Sequence, residues 1–231
     1  MKKKYLPVLL FCIFVCNIHA KRLPPPDVVP LSNGNFIYKE SYTSSKDNAY
    51  DFGVVIIESV GDVKYRFLIP IYSVNIDRNL EYDVQWKFIK SMEFKNDDVI
   101  TIINERNEVF ELNINTFEVK CISGKDYSDV NELFERDLIS IIENHKNHKY
   151  TGSQPDKKKL AKIEDVIAVA EPALFSIYGD ETVKKEMPYV IQKYKDKWFV
   201  HGYIPKNSLG GVFEIFIDSE TSQIESVIHG E

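Results

Sequence analysis

Val99-Ile100-Thr101-Ile102-Ile103, a polar break at Asn104-Glu105-Arg106-Asn107, then Val109-Phe110-Glu111-Leu112-Asn113-Ile114 is the passage from which the fold class is read. On each side of the break apolar and polar residues alternate, the period that sends successive side chains to opposite faces of a strand. The break is rich in asparagine, which tolerates turn backbone. Together these features predict an antiparallel hairpin, and Asn115-Thr116 turns the chain again into Phe117-Glu118-Val119. A similar phrase returns as Val212-Phe213-Glu214-Ile215-Phe216-Ile217-Asp218, followed by Thr221. Both are the general solution for a hairpin, alternating side chains closed by an Asn or Asp turn, rather than a duplication.

Toward the N-terminus the same alternation marks strands at Phe36 and Tyr38, Val54 to Ile57, Tyr65 to Tyr72, and Val84 to Phe88. Val, Ile, Phe and Tyr between Asn, Asp, Gly and Ser breakers make residues 31–122 a β-rich module. Residues 21–30 hold Pro24, Pro25, Pro26 and Pro30, which cannot donate a regular ladder, and read as an extended tether.

Toward the C-terminus the period changes. Val130, Leu133, Phe134, Leu138, Ile141 and Ile142 recur at helical spacing after Asp126 or Ser128, either of which can cap the helix. This helix and its connection occupy residues 123–147, and the polar stretch from Asn144 to Lys159 carries the boundary to a last domain over 148–231. A second helix is predicted from Leu160 to Tyr178, kinked or broken at Pro172 and closed by a left-handed Gly179. Strands over Met187 to Tyr194, Trp198 to Ile204, Gly211 to Asp218 and Ile224 to Ile228 complete an α+β arrangement.

The chain opens with Lys2, Lys3 and Lys4, an apolar run from Tyr5 to Val15, then Ile18-His19-Ala20 before the proline-rich stretch. That order is the order of a cleavable secretory signal over residues 1–20. The apolar run falls well short of the roughly 20 residues that span a bilayer. Contact with the membrane is therefore expected only in transit, and the working protein is expected in the periplasm or at the envelope. Loss of the leader removes Cys12 and Cys16, so Cys121 alone remains and no intrachain disulfide can form. Within Val119-Lys120-Cys121-Ile122 that cysteine reads as a small buried hydrophobe.

The full chain has 29 basic and 35 acidic residues; without the leader lysines 26 basic residues remain and the net charge moves from -6 to -9. Nucleic-acid binding is not expected, because phosphate recognition requires a basic footprint. Nor does the sequence assemble a catalytic constellation. His145 and His148 stand three apart without a third ligand at metal-binding spacing and read as solvated linker residues. His201 and His229 belong to no nucleophile motif, Ser208 lacks the elbow glycines, and Asp165 with Glu171 read as helix carboxylates facing water. Gly210-Gly211, with no lysine or helix start behind them, read as a strand-opening bulge rather than a phosphate loop. No catalytic residue, metal or cofactor is predicted.

One resemblance adds to this reading. Ala168, Ala170-Glu171, Tyr178-Gly179, Glu186 with Pro188-Tyr189, Trp198 with Gly202, Gly210-Gly211-Val212, the strand Phe213 to Ile217, and His229-Gly230 follow in an order that resembles the NTF2-fold immunity proteins of bacterial polymorphic toxin systems. The resemblance covers about residues 160–231 and implies a helix with a curved antiparallel sheet, no enzymatic activity, and a cognate toxin as binding partner. It also implies aromatic anchors and a charged rim at that interface: Tyr189, Tyr194, Tyr203 and Phe216 as anchors, Glu214, Asp218 and Glu220 as rim charges. Tyr178, Gly179, Pro188, Trp198, Gly202, Gly210 and Gly211 are its structural markers. An accessory envelope module similar to the PepSY-like group, or a small-molecule binder using the cavity of the fold, are the competing expectations.

Overall fold

The computed structural model describes residues 24–204 and 210–230 except 48 and 126; the predicted signal, Ser208 and the Asp126 cap lie outside the described residues. Four strands come first: β1 Leu31–Ser32, β2 Phe36–Ser44, β3 Tyr50–Ser59 and β4 Tyr65–Asn75. The next four, β5 Ile89–Asn96, β6 Val99–Asn104, β7 Val109–Asn113 and β8 Val119–Ser123, contain the hairpin read from the sequence. Helices α1 Val130–His145, α2 Ile163–Tyr178 and α3 Asp180–Lys184 follow, then β9 Tyr189–Tyr194, β10 Lys197–His201, β11 Phe213–Asp218 and β12 Ile224–His229. The fold is α+β.

The strands form two sheets. One has four strands in the order β5-β6-β7-β8, and the other has eight, β1-β2-β3-β4-β9-β10-β11-β12. Every pairing is antiparallel except β4 with β9, where Tyr65, Arg66 and Phe67 run parallel to Tyr189, Val190 and Ile191. A parallel pair needs a long crossover. Here the crossover carries the whole second sheet and all three helices. Strands from both sides of the boundary expected near residue 148 therefore share one sheet, and the span 31–122 is divided between two sheets.

Aromatic side chains lock these layers. Phe67 meets Phe117 at 4.7 Å and Trp198 at 5.5 Å between ring centroids, joining the second sheet to the C-terminal strands. Tyr38 against Phe94 and Tyr72 against Phe110 bring the two sheets together. Helix α2 buries Ile163, Val166, Ala170 and Leu174, and the Trp198 indole N–H donates to the Leu160 carbonyl at 3.2 Å. Helix α1 packs through Phe134 on Phe52 and through Leu138 on Phe199 and Phe216.

Several local expectations are corrected. Val84 to Phe88 belongs to an irregular connection, and the strand begins at Ile89. Cys121 is exposed because β8 is the outer strand of its sheet, so alternation there does not mean burial. Helix α1 starts after Asp129, which makes no side-chain cap bond. Helix α2 continues through Pro172, whose missing N–H costs one bond on an exposed turn. Gly179 has the expected positive φ, 82°, but its ψ of 143° is extended rather than helical, and α3 follows directly.

Candidate functional site

The sequence markers of the C-terminal segment gather at one end of its sheet, around the carboxylate of Glu186. One oxygen accepts the Phe213 backbone N–H at 2.9 Å, and the other accepts from His229 Nε2 at 3.0 Å. The Glu186 carbonyl takes the Tyr203 N–H at 2.8 Å, and Gly202 donates to Phe213 at 3.0 Å. Gly211 and Gly230 pass backbone to backbone, so that a Cβ on Gly211 would overlap the Gly230 carbonyl. Gly210, beside it, has a φ of +123°. Tyr178 rests its ring on His229 at 5.2 Å, and burial beside the Glu186 charge raises its hydroxyl pKa. Pro188, in a cis peptide with Met187, leads from Glu186 into β9. Trp198, by contrast, is a core anchor far inside the sheet.

A second cluster lies where α1 meets β11 and β12. His145 is buried, with Nδ1 2.8 Å from Ser226 Oγ, Nε2 3.1 Å from Glu214, and its ring edge-on to Phe216 at 4.8 Å. The expectation of a solvated linker histidine is thus corrected: the last turn of α1 turns His145 inward while His148, exposed, reaches the Asn144 carbonyl. A carboxylate oxygen only accepts, so Nε2 donates to Glu214. The order serine, imidazole, carboxylate is that of an activated nucleophile. Ser226, however, is buried within a strand beneath α1, and the three groups tie helix to sheet. A cavity of about 410 Å³ opens next to them, edged by Lys146, Lys149 and Lys197.

The nominated contact residues separate by burial. Tyr189 is in the core, donating to Glu171 at 3.3 Å and meeting Phe213 edge-on at 5.2 Å. Phe216 is stacked on Phe199 at 4.7 Å under α1. Neither ring is presented to a partner, because Tyr189 faces the main core and Phe216 lies in the cluster beneath α1. Tyr194 is half-buried against the α1 cluster. Tyr203 is exposed, with the Arg66 guanidinium 5.7 Å from its ring centroid. Glu214 is held by His145, Glu220 pairs with Lys159 at 2.8 Å, and Asp218 accepts from the Glu220 and Thr221 backbone and from the Thr221 hydroxyl. Asp218 therefore closes the β11–β12 turn.

Beside Tyr203 stands a charged group that the sequence reading missed. Glu58, buried in β3, binds Arg66 Nε at 2.9 Å and the Lys39 ammonium. Burial works against the Glu58 carboxylate, but the Lys39 and Arg66 bonds outweigh it and lower its pKa. The only sequence signal was a carboxylate in an apolar strand. Asp165 and Glu171 do not converge: Asp165 pairs with Lys158 and Glu171 meets Tyr189. Burial lowers the His201 pKa despite the opposing pull of its bond to the Gly202 carbonyl. Among the described residues no three His, Cys, Asp or Glu side chains are grouped to hold a metal ion.

With this geometry in hand, the comparison with known families is specific to the C-terminus. Residues 166–231 match the family described as NTF2 fold immunity protein, a toxin-neutralising class. The match begins inside α2 and takes in α3 and β9 to β12. No curated protein and no solved structure matches the chain.

Proposed function

We propose that this chain is an exported immunity protein that binds a contact-delivered bacterial toxin and neutralises it without chemistry. The observation that carries the reading is the immunity-family match over residues 166–231. The ordered glycines and Glu186 of that segment support it, because they build one interlocked sheet end rather than scattered coincidences. Tyr203, flanked by Arg66, is the aromatic anchor of the proposed contact surface at the Glu186 end of the sheet; Tyr194 and Glu220 lie at the opposite end of the strands, and Glu214 is tied to His145 beside α1. Such an arrangement suits tight binding, in which a few aromatic and arginine residues dominate and charges set orientation.

Export rests on the lysine-led apolar leader of residues 1–20, which directs the encounter to the periplasm or envelope. The reading is tested by co-expressing the full chain with the toxin encoded beside it. Survival together with co-purification of the two proteins supports it. Unprotected cells and no complex exclude it.

A further inference from the structure

Arg66 of β4 and Glu58 of β3 stand opposite each other, and the guanidinium joins the carboxylate through Nε, at 2.9 Å. The other Glu58 oxygen takes the Lys39 ammonium. A carboxylate that is only 4% exposed thus serves two cations whose side chains are 38% and 42% exposed, which leaves one positive charge in excess. Among the described residues neither Arg66 Nη donates a hydrogen bond. The Tyr203 ring, itself 36% exposed, has its centroid 5.7 Å from the guanidinium carbon. Fixed at Nε and set against a ring, the guanidinium keeps its two-pronged end unused, and that end matches the two oxygens of a carboxylate.

The strand register extends this point into a surface. Ile37 lies level with Glu58, Arg66 with Val190, and Val190 with His201, one row from β2 to β10 on a single face of the large sheet. Two residues back from His201 on the same face, Phe199 is buried beneath α1. Ile37, Arg66, Val190 and His201 are half-buried, so the cover that α1 gives to Phe199 does not extend to them. Apolar neighbours around an arginine and a tyrosine are the composition in which binding energy concentrates. Because the whole chain carries -6, long-range attraction does not bring in an acidic partner, and the recognition has to be local.

We propose that the Arg66 guanidinium receives an aspartate or glutamate side chain of the toxin, with Tyr203, Ile37 and Val190 closing around the pair and shutting out water. This rests on the proposed toxin-binding function and gives strands before the matched segment a part in it. Glu58, buried beneath, holds the guanidinium in place beforehand, so little freedom is lost on binding.

The test measures the affinity of the purified full chain for the toxin encoded beside it, by titration calorimetry. Arg66→Gln, in which Lys39 still pairs with Glu58, should weaken binding about tenfold or more, and Arg66→Lys, lacking the fork, should recover only part of the loss. Tyr203→Ser, which leaves both Glu58 pairings untouched, should weaken it several-fold. Lys95→Gln removes the same charge from the second sheet and should bind like wild type. Thermal melts establish that each variant is folded. One Asp→Asn or Glu→Gln change in the toxin should reproduce the Arg66→Gln loss and add little to it when the two are combined. Wild-type affinity in a folded Arg66→Gln or Tyr203→Ser protein, an equal loss in Lys95→Gln, or no toxin carboxylate coupled to Arg66 would overturn the site and leave the immunity reading standing. A wild-type chain that does not bind the toxin at all would remove that reading and the site with it.

Discussion

Tyr65 of β4 lies level with Tyr189 of β9 in parallel register, and the Tyr189 N–H donates to the Lys64 carbonyl at 2.9 Å. This short junction is the seam by which the family-matched segment enters the larger sheet. Next to it, Phe67 covers Trp198.

The first expectation concerns independence of the C-terminal segment. Residues 148–231 alone would leave β9 as an open edge and expose the surfaces that Phe67 and α1 cover. Each large core side chain so lost removes about 1.5–3 kcal/mol of burial. The truncated protein should aggregate or lack a cooperative thermal transition in circular dichroism. A monomer with a cooperative melt would show that the seam is dispensable.

The second concerns the buried pair of Lys87 and Glu108. Both side chains are nearly inaccessible, and Asn104 and Tyr127 also bond the Glu108 carboxylate. Burial lowers the Lys87 pKa while Glu108 acts against that shift. Lys87→Met leaves the carboxylate buried with its cation gone and should cost about 3 kcal/mol in urea unfolding. Combining it with Glu108→Gln should cost distinctly less than the two single changes added together. Strict additivity would mean that the two groups do not interact.

Glu58 makes stability depend on pH. Because Lys39 and Arg66 lower its folded pKa, its contribution is complete above the unfolded glutamate value, about 4.3, and is lost as pH falls through the lower folded one. Both cations are more than a third exposed, so Glu58→Gln should cost only about 1 kcal/mol near neutrality. The gap between variant and wild type should close on acidification. A gap that widens at low pH would contradict this origin.

How much of this was legible beforehand follows from which signals are local. The Val99 to Ile114 alternation gave its hairpin, and the spacing of Val130, Leu133, Phe134 and Leu138 gave α1. Tyr65 and Tyr189 pair across more than a hundred residues, and neither carries a local mark of it. His145 sits among Asn144, Lys146 and Asn147, so its surroundings in sequence look solvated although its side chain points at Ser226. The resemblance named Tyr189 and Phe216 as anchors, but that Tyr189 packs into the core and Phe216 lies beneath α1 depends on tertiary packing that the local sequence does not carry. That the Ser44 and Tyr82 hydroxyls both reach the Asp51 carboxylate likewise depends on tertiary structure.

The trio of Ser226, His145 and Glu214 separates binding from chemistry. As a tie between α1 and the sheet, it predicts that His145→Ala destabilises by about 2 kcal/mol, whereas Ser226→Ala lowers stability modestly and leaves protection against the toxin intact. Thermal melts and survival assays read the two effects apart. Loss of protection in a fully stable Ser226→Ala protein would place a reaction at that hydroxyl.

The most direct measurement is survival of cells that export the adjacent toxin, with and without the full chain, combined with purification of the complex. The account predicts protection that requires the leader of residues 1–20, and a complex that survives purification. Death at the same rate in both cultures, with no toxin retained on the purified protein, would contradict it.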